Sequence, residues 1–210
     1  MTDIVVYGIE MSTYVWTTRL VLEEKGLSYT LEKVDWRSDA YRSLHPFNKM
    51  PAFRYGGVQL FETAAITAYL EEVFPDPPLQ PADAAGRARM NQWIGAFGEY
   101  FYADIIRGVV LEYAFPASPD GKPNREKIDA ALPNVERDLA IAESLLSDKP
   151  WLIGKLMTRA DLFLAPMIHY LMIVPESPAL MKGKDHLRRW FDTIRERPSF
   201  KTTIPASSKS

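Results

Sequence analysis

The chain has 210 residues, enough for two small domains that each bury a core of their own. Hydrophobic residues make up 47% and charged residues 25%, and a net charge of −2 gives no basic excess that would favour a nucleic-acid partner. The absence of cysteine excludes disulfides, thiolate metal sites and a cysteine nucleophile. The three histidines are widely spaced, so we expect no metal site.

The N-terminal residues place an acid, Asp3, before a short apolar run, whereas a secretion signal has a basic start and a longer apolar core. No apolar stretch reaches the roughly 18 residues of a membrane span, because Asp161 and His169 interrupt the longest one. We therefore expect a soluble cytoplasmic protein without a membrane partner.

The first part of the chain alternates strand and helix patterns. In chain order we predict a strand over 3–8, a helix over 13–25, a strand over 29–34, a short irregular helix and loop over 35–48, strands over 51–54 and 58–61, and a helix over 63–74. The two glycines at 56 and 57 favour a tight hairpin turn. This α/β order, closing with an antiparallel hairpin, is typical of a thioredoxin-like sheet.

A proline-rich stretch over 75–81 marks the domain boundary, because proline lacks the amide donor and fixes φ. Beyond it the periodicity is helical over 84–113, 125–146, 160–172 and 185–195. We therefore predict an α/β thioredoxin-like N-terminal domain over 1–78 and an all-α C-terminal helical bundle over 84–204.

Ser12 lies between the first strand and the first helix. A hydroxyl at this place is close to free backbone amides and to the positive end of the helix dipole, which suits a thiolate or another anion. The alternative is that Ser12 is only an ordinary helix N-cap, which local sequence alone favours. Both interpretations stay open.

Lys49, Met50 and Pro51 open the third predicted strand. X–Pro is the bond at which a cis peptide costs least, and we predict that the Met50–Pro51 bond is cis. Such a bond would turn the Met50 amide and carbonyl outward, so that an extended peptide ligand can pair with them. The alternative is an ordinary strand-opening proline beside a solvated Lys49.

Glu62 and Thr63 lie at the junction of the fourth strand and a helix. Thr63 is expected to cap that helix while its hydroxyl and the neighbouring amides receive a ligand carboxylate. Glu62 would pair with an α-ammonium group, so the two residues would recognise the zwitterionic end of an amino acid. The alternative is a plain capped helix with Glu62 on the surface.

Thr158 and Asp161 have the spacing of a capping box, and an apolar run follows them. We interpret this motif as structural, because it begins a buried helix.

Taken in order, these segments resemble the soluble glutathione S-transferase superfamily from about Asp3 to Phe200. They are most similar to its serine-type phi and theta classes, and we expect a bacterial or fungal relative of these. The Thr-x-x-Asp box resembles the N-capping motif of the same family.

The resemblance implies a role for each candidate residue. Ser12 would donate a hydrogen bond to the glutathione sulfur and is the expected catalytic residue. Met50 and Pro51 would be the backbone clamp for the cysteinyl part, and Lys49 would reach glutathione. Glu62 and Thr63 would bind the γ-glutamyl end.

The chain departs from the family pattern beside Ser12 and before the clamp. Thr13 stands where many relatives have proline, and Trp16 where they have a basic residue, which we expect to alter the choice of electrophile. The segment before the clamp is divergent, and Arg37 is only a candidate replacement for the basic residues found there. Aromatic candidates for the co-substrate pocket, each equally explained as core or subunit interface, are Trp93, Phe97, Tyr100, Phe101, Tyr113 and Phe115.

The resemblance implies a homodimeric enzyme that adds the glutathione thiolate to small apolar electrophiles, with reduction of organic peroxides as a further activity to test. Glutathione would be a co-substrate, and no metal or bound cofactor is expected. The alternative is a noncatalytic protein that binds glutathione or hydrophobic ligands on the same fold, although Ser12 favours the enzyme. A disulfide reductase would need a cysteine that the chain lacks.

Overall fold

The computed structural model describes residues 3–206. Two compact units are present. Of the described residues, the first comprises 3–80 together with 196–206, and the second runs from Pro81 to Arg195.

The first unit is built on a four-stranded sheet with the order β2-β1-β3-β4. Its strands are β1 (Ile4–Tyr7), β2 (Tyr29–Glu32), β3 (Ala52–Tyr55) and β4 (Val58–Phe61). Its helices are α1 (Thr13–Glu24), α2 (Asp39–Arg42), α3 (Thr63–Val73) and, in the last segment, α10 (Pro198–Thr203). Strand β1 pairs in parallel with β2 and antiparallel with β3. The predicted thioredoxin-like α/β unit is confirmed.

The β3–β4 hairpin turns over two glycines. Tyr55 pairs with Val58, which leaves Gly56 and Gly57 as the loop. Gly56 has φ 58°, a left-handed conformation that costs glycine little and that tight hairpin turns require. The hairpin predicted from this dipeptide is therefore present.

The C-terminal segment packs on α1. The indole N–H of Trp16 donates to Thr203 Oγ1 at 2.8 Å, and the rings of Trp16 and Phe200 lie 5.0 Å apart. Arg197 forms an ion pair with Glu24 at 2.5 Å. We had assigned residues up to 204 to the helical domain, whereas these contacts group the segment from Glu196 with the first unit.

A buried ion pair anchors the proline-rich stretch to the first unit. Lys25 Nζ lies 2.8 Å from Glu71 Oε2, and the two side chains are 0% and 2% exposed. Lys25 Nζ also donates to the carbonyls of Phe74 and Pro77 at 2.7 and 3.0 Å. Three acceptors therefore surround a three-proton donor, which offsets the cost of burying its charge.

The second unit is helical, as predicted. Its helices are α4 (Ala84–Ala96), α5 (Leu111–Ala114), α6 (Arg125–Leu145), α7 (Arg159–Met172), α8 (Ser177–Leu180) and α9 (Asp185–Arg195). Between α4 and α5 the chain is π-helical over Phe97–Val110, where we had predicted one regular helix. The short helices α8 and α10 were not predicted. No helix within the described residues has both the length and the apolarity needed to span a membrane.

Buried apolar side chains explain the packing of α7. Every residue from Ala160 to Leu171 is buried, which matches the mostly apolar sequence of this helix. The capping box predicted for Thr158 and Asp161 is confirmed, with both reciprocal hydrogen bonds present.

Candidate functional site

Strand register brings three predicted site segments to one edge of the sheet. Tyr7, the last residue of β1, pairs with Ala52, the first residue of β3, and Ala52 pairs with Phe61 at the end of β4. The loop after β1, the residues that enter β3 and the residues that follow β4 therefore meet at the same edge. Because neighbouring strands are about 4.8 Å apart, these segments leave the sheet within roughly 10 Å of one another.

Two helices also begin at this edge. Helix α1 starts after the β1 loop, and α3 starts directly after β4. A helix N-terminus presents free N–H groups and the equivalent of about half a positive charge. The edge therefore favours anionic groups.

Gly8 lets the β1–α1 loop pack closely against the start of α1. It has φ 157°, and a Cβ placed on it would lie only 2.5 Å from Val15 Cγ2 and 3.4 Å from Met50 Cβ. A side chain at this position would clash with Val15 of α1, whereas the distance to Met50 is an ordinary van der Waals contact. The close packing of the loop against the start of α1 therefore depends on glycine.

Ser12 is the N-cap of α1. Its side chain is half-buried, and its Oγ accepts a hydrogen bond of 3.4 Å from the Val15 amide. Because the hydroxyl is the acceptor in this bond, its own proton is left for donation to another group. The cap and the sulfur-binding role are therefore compatible, although we had set them against each other.

The neighbours of Ser12 in α1 face the interior. Thr13 is 5% exposed and Trp16 is 0% exposed. Trp16 is held by its contacts with the C-terminal segment and does not line the site, and its influence on the choice of electrophile stays a prediction. It is a core residue of the first unit.

The clamp segment enters β3 with the predicted backbone. The Met50–Pro51 bond is cis. Lys49 is exposed, Met50 is half-buried and Pro51 is buried. The Lys49 side chain is thus accessible to a ligand, as its predicted role requires.

Glu62, not Thr63, is the N-cap of α3, and its side chain makes no cap hydrogen bond. Our expectation that Thr63 caps the helix is therefore wrong: Thr63 is the first helical residue and is 5% exposed. Glu62 is exposed and has φ 69°, which is unfavourable for a residue other than glycine. Such strain costs about 1–3 kcal/mol and is found preferentially at ligand-binding positions.

Tyr41 of α2 contacts the clamp and was missed by our sequence reasoning. Its hydroxyl donates to the Lys49 carbonyl at 2.8 Å, and the residue is 3% exposed. The surrounding segment over 35–48 is mostly polar, and we predicted only a short irregular helix and loop there. The spacing of Tyr41 and Leu44, three residues apart, was the available signal of a buried face.

In the second unit, burial divides the aromatic candidates for the co-substrate pocket. Phe97 and Phe101 are 0% and 2% exposed and belong to the core. Tyr100 and Phe115 are 59% and 63% exposed and remain accessible to a ligand. Trp93 and Tyr113 are half-buried.

Comparisons with known proteins identify relatives of this chain. Residues 6–78 match the model of the glutathione S-transferase N-terminal domain, and residues 102–198 match that of the C-terminal domain. A probable glutathione S-transferase of Oryza sativa subsp. japonica is 28% identical over 96% of this chain and 95% of its own. Glutathione S-transferase 3 of Zea mays is 26% identical, and the match covers 98% of this chain and 95% of that protein.

The fold of the chain is also similar to that of solved glutathione transferase structures. The crystal structure of glutathione transferase F2 from Populus trichocarpa superposes with a TM-score of 0.87 at 28% identity, covering 96% of this chain and 97% of that one. These relatives are plant proteins, so they do not support our expectation of a bacterial or fungal relative. With both domain models matched in order along the chain, the protein belongs to the cytosolic glutathione S-transferase superfamily and is a glutathione transferase.

Proposed function

We propose that this transferase is of the serine type and binds glutathione along the sheet edge of its first unit, with Ser12 donating a hydrogen bond to the sulfur. The observation that carries the proposal is the strand register, which brings the β1 loop, the clamp and the start of α3 to one edge. Glutathione acts as a co-substrate, and the reaction uses no metal or tightly bound cofactor.

Each part of the tripeptide has a partner of suitable chemistry. The backbone of Met50, beside Pro51, pairs with the extended cysteinyl part, as a strand pairs with a sheet edge. Glu62 pairs with the γ-glutamyl ammonium group, and the α3 amides near Thr63 receive its carboxylate. Lys49, which is exposed, reaches an anionic group of the ligand.

Ser12 and the start of α1 supply enough free energy to ionise the thiol. A free thiol has a pKa of about 8.5, and lowering this pKa by two units requires roughly 2.7 kcal/mol. A hydrogen bond to a charged group gives about 1.5–3 kcal/mol, and a helix N-terminus adds about 0.3–1 kcal/mol. The two contributions together meet the requirement.

The bound thiolate attacks an apolar electrophile. Its sulfur lone pair forms the new C–S bond, while a leaving group departs with its electron pair or, in an addition, the product takes up a proton. Reduction of organic peroxides is a further activity of the same thiolate. The sulfur attacks a peroxide oxygen and the O–O bond breaks, which releases the alcohol and leaves glutathione sulfenic acid. A second glutathione then forms the disulfide with this sulfur and releases water.

We also propose that the protein works as a homodimer. Phe47 is 69% exposed although it is a large apolar side chain, and a second copy would cover it. Sedimentation analysis should give twice the mass of the chain. Phe47→Ser should lower that mass toward the monomer, and an unchanged dimer would remove Phe47 from the interface.

Calorimetric titration with glutathione, followed by an activity panel, tests the proposed function. The panel comprises halogenated aromatics, epoxides, enals and hydroperoxides. We expect binding and turnover of at least one class. Binding without any turnover would favour the alternative, a noncatalytic binding protein, and absence of binding would contradict the proposed site.

A further inference from the structure

The segment between β2 and β3 is anchored to the same sheet edge through Tyr41. The Tyr41 ring lies in a buried cluster with Tyr7 and Ala52, and Val34 and Leu44 pack against this cluster. Tyr7 and Ala52 are ladder partners at the end of the sheet. The ring therefore has a fixed position relative to the strand that carries the clamp.

The Tyr41 hydroxyl contacts the backbone that leads into the clamp. It donates to the Lys49 carbonyl, which precedes Met50 and Pro51. Burial raises the pKa of Tyr41 to about 12, with a smaller opposing effect of the nearby Ala52 amide, which follows Pro51. The phenol is thus protonated at neutral pH and remains a donor to Lys49.

Further hydrogen bonds make the segment rigid between α2 and the clamp. Ser38 Oγ caps α2 by accepting from the Tyr41 amide at 3.1 Å. The His45 amide donates to the Tyr41 carbonyl at 3.0 Å, and the Asn48 amide donates to the His45 carbonyl at 2.9 Å. These bonds lead without interruption from α2 to the residue before Lys49.

We propose that Tyr41 is a positioning residue for glutathione, whose hydroxyl holds the backbone of Lys49 and Met50 in the direction that the tripeptide needs. This inference rests on the proposed function, because it concerns the same binding edge. Without the bond, the Lys49 carbonyl is free to turn toward water, and binding must then order the clamp. Tyr41 does not touch the sulfur, so the chemical step on bound glutathione should be unaffected.

The test replaces the hydroxyl alone. Tyr41→Phe should raise both the Kd and the KM for glutathione about five- to tenfold, as expected for one lost buried hydrogen bond. The kcat at saturating glutathione should stay within about twofold, because Ser12 is unaltered. A purely structural tyrosine would instead lower the thermal midpoint and leave the KM unchanged.

Tyr29→Phe is the matched control. The Tyr29 hydroxyl also has a hydrogen-bond partner, accepting from Arg19 Nε at 3.1 Å. Tyr29 pairs with Ile4, at the opposite end of the sheet from the pair that Tyr7 forms with Ala52. This variant should leave the KM for glutathione unchanged.

Ser38→Ala provides a second variant that keeps the phenol but uncaps α2. It should raise the KM in the same direction as Tyr41→Phe, by a smaller factor. If the wild-type protein binds glutathione and Tyr41→Phe leaves the KM unchanged, or Tyr29→Phe raises it equally, the positioning role is wrong. If the wild-type protein itself does not bind glutathione, the proposed function fails first and the inference fails with it.

Discussion

Helix α1 and helix α7 both begin at a hydroxyl-bearing N-cap, but the two caps are used differently. At α1, Ser12 is half-buried and accepts a single bond of 3.4 Å from Val15. At α7, Thr158 and Asp161 are 2% and 0% exposed. The first cap is open to a ligand, whereas the second is enclosed by protein.

The Asp161 carboxylate shows how completely the second cap is satisfied. Oδ1 accepts from the Leu152 amide at 3.0 Å and from Trp190 Nε1 at 2.9 Å. Oδ2 accepts from the Thr158 amide at 2.8 Å and from Thr158 Oγ1 at 3.1 Å. No bonding capacity is left for a ligand, so the motif serves folding.

The difference explains why similar cap residues serve different purposes. A buried polar group must find all its partners within the protein, and this makes it structural. Ser12 retains an unused donor beside a helix N-terminus, where a thiolate is stabilised. Exposure and unused hydrogen-bonding capacity, rather than residue type, distinguish the two roles.

Asp161→Ala should have the largest effect on stability. It leaves the buried N–H groups of Leu152, Thr158 and Trp190 without their acceptor, at about 1–3 kcal/mol each. We expect the free energy of unfolding to fall by about 3 kcal/mol or more, measured by urea denaturation. Glutathione affinity of the folded protein should be unchanged. A normal unfolding midpoint with weakened glutathione binding would reverse the assignment.

Ser12→Ala, in contrast to Asp161→Ala, should affect catalysis more than stability. Loss of the hydrogen bond to the sulfur should raise the pKa of bound glutathione and lower turnover at neutral pH about ten- to a hundredfold. The pKa is read from a thiolate absorbance titration of the complex. Glutathione affinity should fall far less, because the sulfur is a small part of the ligand.

Thr13→Ala is the control for this experiment. Thr13 is adjacent to Ser12 and carries the nearest rival hydroxyl, but it is 5% exposed. The variant should leave the thiolate titration nearly unmoved. If Thr13→Ala shifts the titration while Ser12→Ala does not, then Ser12 is only the helix cap.

Local patterns predicted those parts of the fold whose cause is local. The capping box follows from Thr158 and Asp161 alone, and the hairpin follows from the Gly56–Gly57 dipeptide. The three site segments were also recognised from short motifs. Their convergence at one edge became visible only in the strand register.

Long-range packing accounts for what the sequence did not predict. Trp16 is buried because Thr203 and Phe200 cover it, and no local pattern links residues so far apart in the chain. Tyr41 likewise owes its position to the cluster that it forms with Tyr7 and Ala52. The left-handed conformation of Glu62 had no signal, because glutamate does not favour it.

Glu62→Gly, at the N-cap of α3, should change stability and glutathione binding in opposite directions. Glycine accepts the left-handed conformation, so we expect a gain of about 1 kcal/mol in the free energy of unfolding. The KM for glutathione should rise severalfold, because the carboxylate partner of the ammonium group is lost. Glu62→Gln is the control, because it removes the charge and keeps a side chain at this backbone conformation; it should raise the KM similarly without the gain in stability. An unchanged KM in Glu62→Gln would contradict the role of the Glu62 carboxylate.

The smallest effect is expected at Asp83, the exposed N-cap of α4. Its Oδ1 accepts from the Gly86 amide at 2.8 Å, and this hydrogen bond is the main cause that lowers the pKa of Asp83 below its usual value. Because the folded-state pKa is depressed, the stabilisation is present above the unfolded-state pKa and is lost as the pH falls through the folded-state value. Asp83→Ala should therefore lower the urea midpoint slightly at neutral pH, and the difference from wild type should shrink as the pH falls below the unfolded-state pKa of an aspartate. Glutathione binding should not change. Asp83 has a short cap hydrogen bond, but it is exposed and its carboxylate is not fully hydrogen-bonded. If Asp83→Ala destabilised the protein as much as Asp161→Ala, burial and complete hydrogen bonding would not explain why the α7 cap is structural.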